Sequence, residues 1–381
     1  MKVSHANRST AKQDRVVAAI RREITQGKLK PGAQLLAQPQ LAKRYGVSLA
    51  TVGLALNRLA REGHVHARHR RGTFVVDKPP HLNNYALVFF KDPAASFATT
   101  PWSRYHTALA NEARTLQDQN RGRILPFYGI DDHGDSDDYQ RLLSYLAAQR
   151  LAGIIFTDHP YLVQGSPILD QPGIPRVALM GKQHFPQVPA VTFDGQTWIE
   201  KGLDHLVARG RKRVAIVAQA QTLLDEAWLS QAVAVRGLAC PPQWRQVITP
   251  TWAPAARNVV HLLLSGTAGQ RPDGLLITDD NFVEYALAGL IAAGRHVPDD
   301  VEVVTHCNFP WPPPAVLPVT QLGFDIRATL RTAMDLIDRQ RRGETVPGLT
   351  LMPALFEPEL NSQSAAVLPP ATSVALATPT K

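Results

Sequence analysis

The sequence predicts an α/β protein in two unequal parts, a small helical module closed by a β-hairpin in front of a larger body built on parallel sheets. Three observations carry that expectation. Residues 27–75 hold a turn, two short helices and a hairpin in succession; short apolar runs alternate with amphipathic helices from about residue 84; and the charge changes sign between the two parts. Residues 1–80 contain sixteen Lys/Arg against four Asp/Glu, a net +12, while residues 81–381 contain 25 against 28, a net −3. With 381 residues and 44% hydrophobic content, the chain can bury two or three cores of ordinary size.

Residues 1–12 are polar and are expected to be disordered. A first helix is expected over 14–26, where Val17, Ile20 and Ile24 share a face before Gly27 ends it, and Lys30-Pro31-Gly32 turns the chain. A short helix over 40–45 stops at Gly46. Ser48 is placed to cap the next helix, 48–62, in which Val52, Ala55, Leu56 and Leu59 recur at helical spacing and bury one face. The other face, with Leu49, Ala50, Gly53 and Asn57, is left for a partner. Gly63 opens a hairpin with strands 64–67 and 73–76 and a tip of Arg68, His69, Arg70, Arg71 and Gly72. Together, residues 13–76 have the layout of a winged helix-turn-helix, whose second helix enters the major groove. A polyanion suits the local excess of positive charge, because neutralising phosphates releases counterions. Residues 77–83, opening with Asp77-Lys78-Pro79-Pro80, read as a semi-rigid linker.

From residue 84 to 360 the expected strands are 85–90, 123–128, 153–157, 176–180, 213–218, 246–249, 274–278 and 301–305. Helices are expected near 103–119, 136–149, 197–209, 227–235, 255–265 and 282–293. Repeated βα units demand parallel sheets covered on both faces. Two such units in tandem form two lobes with a ligand crevice at the carboxyl ends of their strands. Residues 361–381, rich in Ala, Pro, Ser and Thr, are expected to be a disordered tail.

Several function classes find no support. Cys240 and Cys307 are too few for a disulfide framework or a thiolate zinc site, which fits a reducing cytoplasm. The N-terminus lacks the apolar core of an export signal, and no run approaches membrane-spanning length, so no membrane partner is expected. Asp131, Asp132, Asp135, Asp137 and Asp138 around His133 lack the spacing of a calcium loop and read as a solvated loop with helix N-terminal charge. His64, His66 and His69 are spaced as strand and hairpin residues, and no zinc site is expected from them. Nucleophile-elbow, phosphate-loop and dinucleotide motifs are missing, so neither catalysis nor a cofactor is expected.

Residues 14–76 resemble the GntR-type winged helix through Gly27, Leu29, Pro31 and Gly32 of the turn, Leu41-Ala42, and Gly46-Val47-Ser48 with Thr51-Val52. Ala55, Leu56, Leu59, Glu62 and Gly63, and the run Arg71-Gly72-Thr73-Phe74-Val75, complete the match. Residues 84–360 resemble the LacI/GalR-type effector domain, itself similar to periplasmic sugar-binding proteins. The segments that carry this are VTFDGQ (191–196), HLVARGRKRVAIV (205–217), RPDGLLITDDN (271–281) and AGRHVPDDVEVV (293–304). The pairing is similar to arabinose-type repressors. It implies a homodimeric, cytoplasmic, sequence-specific regulator that binds an operator in duplex DNA and is controlled by a small polar effector, a sugar or sugar derivative, held between the lobes.

The resemblance also places the sites. For DNA it implies Lys43, Arg44, Ser48, Leu49, Ala50, Thr51, Gly53 and the wing residues Arg68, His69, Arg70, Arg71 and Gly72. For the effector it implies Asp194, Trp252 and Asp279, with Phe97 and Trp102 as a facing wall, while Asp225 and Cys307 stand where relatives carry an arginine and an aspartate. The expected helix cap and a phosphate-side arginine are replaced by Ala37 and Pro39. Leu49 and Gly53 replace arginines in the recognition helix, so Leu49 and Ala50 are expected to meet thymine methyls or backbone, and the wing, Lys43 and Arg44 to supply affinity. The bland alternatives are a sugar-binding protein with a weak, degenerate DNA-binding head, Trp252 as core, and Asp279 or Asp280 as a helix cap.

Overall fold

The N-terminal module is three helices and a hairpin around one small core. Helix α1 (Val3–Thr25) takes in residues 3–12, which were expected to be disordered; that polar stretch contains neither Gly nor Pro to stop a helix. At the start of α2 (Gln38–Tyr45), Ala37 has no side-chain oxygen to offer, but Gln40 Oε1 accepts the Ala37 N–H at 3.1 Å, so half of a capping box survives. Gly46 closes α2 with φ +63°, a left-handed turn that glycine adopts without strain. Ser48 Oγ accepts the Thr51 N–H at 3.2 Å and starts α3 (Leu49–Arg61). Val17, Ile20 and Ile24 pack on Leu41, Val52, Ala55 and Leu59, and Val65 and Val75 of the hairpin close the core. Strands β1 (Val65–Arg68) and β2 (Gly72–Val75) pair antiparallel, each offset by one residue from the expected spans, with Arg68 opposite Gly72.

The structure describes residues 3–94, 102–118, 122–181, 185, 187–219 and 225–366. By its internal contacts the chain forms two units: residues 1–98, 109–192 and 327–350, and residues 99–108, 193–326 and 351–381. After a helical turn, α4 (Pro80–Asn83), the succession is β3 (Asn84–Val88), α5 (Arg104–Asp118), β4 (Arg123–Phe127), α6 (Asp137–Ala147) and β5 (Gly153–Phe156). Next come α7 (Pro167–Asp170), β6 (Arg176–Leu179) and β7 (Ala190–Phe193). The second half runs α8 (Gly195–Ala208), β8 (Val214–Ala218), α9 (Glu226–Ala234), β9 (Arg245–Val247), α10 (Ala255–Leu264), β10 (Gly274–Ile277), α11 (Asp280–Ala292) and β11 (Glu302–Phe309). It ends with β12 (Thr320–Asp325), α12 (Ile326–Arg341), β13 (Leu349–Met352), β14 (Leu355–Phe356) and α13 (Glu357–Ala366). Residues 361–366, expected in the tail, therefore belong to α13.

Two six-stranded sheets result, ordered β13-β7-β6-β5-β3-β4 and β14-β12-β11-β10-β8-β9. In the second, β9, β8, β10, β11 and β12 are parallel and β14 is antiparallel to β12. Alternation along these strands serves two cores: Ala215, Val217, Leu275, Ile277 and Val303 face one, Val214, Ile216, Ala218, Leu276 and Val304 the other. The strands were therefore legible as continuous apolar runs. Among the described residues no helix is long and apolar enough to cross a membrane.

Within residues 77–83, Asp77 and Lys78 are exposed, whereas residues 79–83 pack against their surroundings. Pro80 is buried, and the fully buried His64 lies with Nε2 3.0 Å from the Ala148 carbonyl, its ring 6.1 Å from that of His81. Arg21 donates to Glu62 at 2.5 Å and to the Ala147 carbonyl at 3.2 Å, and Arg341 donates to the His81 carbonyl at 3.3 Å. The winged module and the first sheet thus share one contact network at the C-terminal end of α6, where free carbonyls accept donors. Burial lowers the pKa of both histidines, that of His81 to about 4.

Candidate nucleic-acid interface and ligand site

The wing presents its cations on a braced frame. Gln34 Nε2 donates to the Arg71 carbonyl at 2.7 Å, and the Leu35 N–H to the Thr73 carbonyl at 2.8 Å, so the segment before α2 supports the hairpin from below. Arg68 Nε donates to His66 Nε2 at 2.9 Å while its guanidinium lies 4.9 Å from the Phe74 ring centroid. The tip is a three-residue loop in which Arg70 takes φ +57°, a conformation costing a non-glycine residue about 1–2 kcal/mol. His69, Arg70 and Arg71 are exposed. Arg44 and Arg58, in contrast, are held by acids: Arg44 by Glu23, and Arg58 by Asp14 at 2.6 Å and Glu62 at 3.0 Å.

Beside the wing, α3 turns its open face to solvent. Leu49 is 53% exposed, Ala50 and Asn57 are exposed, and Gly53 is half-buried. Thr51, expected at the DNA, is instead buried and bonds its hydroxyl to Ser48 Oγ at 2.8 Å, because it lies on the core side of the helix. Lys43 is exposed on α2, and Ser48 is exposed at the helix start.

A second polar concentration lies in the C-terminal unit, at the carboxyl ends of the adjacent strands β8, β10 and β11. Asp279 Oδ1 accepts the backbone and side-chain N–H groups of Asn281, both at 2.7 Å, and Oδ2 accepts from Gln219. Asp280 Oδ2 accepts from Asn308 Nδ2 at 2.8 Å and lies 3.6 Å from Arg104 Nε. Burial, reinforced by Asp280, pushes the Asp279 carboxyl up, and burial raises Asp280 to about 6 against the pull of Asn308 and Arg104. Burial also lowers His306 to about 4, although Asp279 opposes it. Thr278 Oγ1, His306 Nδ1 and Asn308 Oδ1 are buried without a hydrogen-bond partner among the described residues. Aromatic rings border the cluster: Phe193 stacks on Phe324 at 4.3 Å, Tyr105 meets Phe193 edge-on at 5.6 Å, and His306 lies 5.7 Å from Phe324. Unused acceptors beside flat apolar rings suit a small polyhydroxylated molecule.

The predicted effector residues are not gathered into one set. Asp194, Asp225 and Asp279 are all helix N-caps, accepting from the N–H groups of Thr197, Trp228 and Asn281 at 3.3, 2.9 and 2.7 Å. Of these only Asp279 belongs to the polar cluster. Trp252 is 73% exposed, which removes it from the core, where Ala253 takes its place. Cys307 is fully buried, and strand alternation sets it opposite His306 and Asn308. Trp102 packs against His106 at 5.0 Å, and Phe97 lies outside the described residues. Sequence reasoning missed Asp280 as more than a cap, and Arg104, Gln219, His306, Asn308, Phe193 and Phe324 altogether; only the Asp-Asp-Asn run carried a local signal. Asp131, Asp132 and His133 do meet, but at the surface, and Asp137 and Asp138 sit in the first turn of α6 as expected.

Residues 12–75 match the model for bacterial regulatory proteins of the gntR family, and residues 203–356 match that for a periplasmic binding protein-like domain. The arabinose metabolism transcriptional repressor of Halalkalibacterium halodurans is 23% identical over 299 residues, covering 75% of this chain and 77% of that protein. The HTH-type transcriptional repressor NagR of Bacillus subtilis is 30% identical over 89 residues, 23% of this chain and 37% of that protein. A LacI family transcriptional regulator from Lactobacillus casei, solved with bound glucose, has the same fold with a TM-score of 0.50 at 18% identity, covering 72% of this chain and 98% of that one. These relatives are transcriptional regulators, not enzymes. The chain thus joins a gntR-type helix-turn-helix domain to a periplasmic-binding-protein-like body.

Proposed function

We propose that this chain is a sequence-specific transcriptional repressor whose N-terminal module binds duplex DNA and whose C-terminal unit binds a small polyhydroxylated effector. The carrying observation is the confinement of net positive charge to residues 1–80, with Arg70 and Arg71 exposed on a wing beside the open face of α3. In this reading, Arg68, His69, Arg70, Arg71 and Lys43 meet phosphate, the Ser48 hydroxyl and the N-terminal turn of α3 enter the major groove, and two copies read two half-sites. The sugar-linked relatives and the unused polar atoms around Asp279, Asp280 and Asn308 support a sugar or sugar derivative as effector. Differential affinity of the effector for two states of the protein then changes DNA occupancy.

The test is fluorescence anisotropy of the full chain on duplexes recovered by in vitro selection, between about 50 and 200 mM salt, with and without arabinose, ribose, glucose and their phosphates. Affinity is expected to fall steeply with salt and to change with at least one sugar. Salt-insensitive binding, or none, overturns the DNA assignment; indifference to every sugar and sugar phosphate overturns the effector assignment.

A further inference from the structure

The open face of α3 carries a chemistry unlike that of its surroundings. Leu49 and Leu54 are 53% and 52% exposed, Ala50 lies between them, and a Cβ built on Gly53 would meet no atom within 4 Å. For two turns this face offers no hydrogen-bonding side chain, until Asn57 supplies one exposed amide. The next cation along the helix, Arg58, is tied to Asp14 and Glu62, and exposed Arg61 follows only in the last turn, beyond the apolar strip. Around this apolar strip stand exposed cations, Lys43 on α2 and Arg68, Arg70 and Arg71 on the wing. A partner complementary to both must be a polyanion that displays small apolar groups between its charges. The major groove of DNA does so through the C5-methyl of thymine. Gly53 removes the side chain that would hold the helix off the groove floor, and Asn57 can pair with adenine N6 and N7.

We infer that α3 discriminates bases by their C5-methyl groups, through Leu49, Ala50 and Leu54, with Asn57 as the polar reader next to them. The inference rests on the DNA-binding reading above and names the chemistry that reading leaves open. It has a consequence that hydrogen-bonding readout lacks. Because an apolar side chain senses the methyl and not the neighbouring oxygen or amine, 5-methylcytosine substitutes in part for thymine at a contacted position, whereas cytosine does not.

The experiment uses the full chain and its selected duplex, with each thymine replaced in turn by uracil and, separately, each T·A pair by C·G or 5-methylcytosine·G. Removing a contacted methyl is expected to weaken binding about four-fold, and 5-methylcytosine to recover part of the loss seen with cytosine. Leu49→Ala and Leu54→Ala are expected to bind thymine and uracil duplexes alike while keeping their melting temperature. Undiminished binding to fully uracil-substituted duplex overturns methyl reading alone. Leucine variants that weaken thymine and uracil duplexes equally do so too. Failure to bind any duplex at low salt overturns the DNA-binding reading itself.

Discussion

In the wing, Arg70 and Arg71 carry their charges in water, whereas in the C-terminal unit Asp279 and Asp280 carry theirs inside the protein, beside Asn281, Asn308, Gln219 and Arg104. A solvated charge contributes little to folding, so it is free to act on a partner and is weakened by salt. A buried charge is tied to the fold: its protonation depends on neighbours, and its desolvation costs stability until something bonds to it. The wing can therefore be altered with little structural consequence, and the acidic cluster cannot.

The strongest way to break this contrast is to remove the wing cations together. Arg68, Arg70 and Arg71 replaced by Ala are expected to lower affinity for every duplex on the order of 100-fold near 0.1 M salt and to reduce the salt slope by about 2.7, three phosphate contacts at about 0.9 each. Melting temperature should stay within a few degrees of the parent. A large drop in thermal stability would mean that these side chains hold the module together and that the contrast is misplaced.

How much of this was legible follows the range of the signals. Ser48, Gly46, the spacing of Val52, Ala55, Leu56 and Leu59, and the basic tip are local features, and α3 and the wing could be read from them. Asp279 precedes a helical pattern and its capping was weighed, whereas the capping by Asp194 and Asp225 was not read although each also stands before a helix. Strands β7, β13 and β14 are only partly buried and lack the continuous apolar run that made β5 and β10 legible at similar length, and β12 and α12 were passed over although α12 has a regular apolar face. The ring pair of Phe193 and Phe324 is separated by more than a hundred residues and meets only because β7 leads into the second sheet's unit. His64 looked like a strand residue; its role against Ala148 depends on a packing partner that no local pattern announces.

A medium effect is expected from neutralising the buried acid. Asp280 has its pKa raised to about 6 from 3.8. The folded state therefore holds its proton more tightly than the unfolded chain does, and the penalty is absent below about pH 4 and complete above about pH 6. Asp280→Asn keeps an oxygen for the Asn308 amide and removes the charge. Its melting temperature should exceed the parent's above pH 6, by up to about 2–3 kcal/mol in free energy, and match it near pH 4. Thermal melts across that window check the sign; a variant less stable at pH 8 would mean that Arg104 holds the carboxylate more firmly than burial disfavours it. A rise in stability with loss of the sugar-dependent change in DNA binding would place Asp280 among the groups that trade stability for binding.

The smallest effect sharpens the contrast most, because it separates strain from charge at one residue. Arg70 takes a left-handed backbone conformation that glycine adopts freely, so Arg70→Gly relieves about 1–2 kcal/mol of local strain. The same change gives the unfolded chain more freedom, worth about 0.5–1 kcal/mol in the other direction. The two nearly cancel, and the melting temperature should move by no more than a degree or two, upward if at all. Affinity for DNA should nevertheless fall several-fold, with a salt slope shallower by about 0.9. Arg70→Lys keeps the charge and the strain, and should keep both slope and affinity near the parent's. An Arg70→Gly variant that binds DNA as well as the parent would show that the strained tip points its guanidinium away from phosphate, and the wing's affinity would then rest on Arg68 and Arg71.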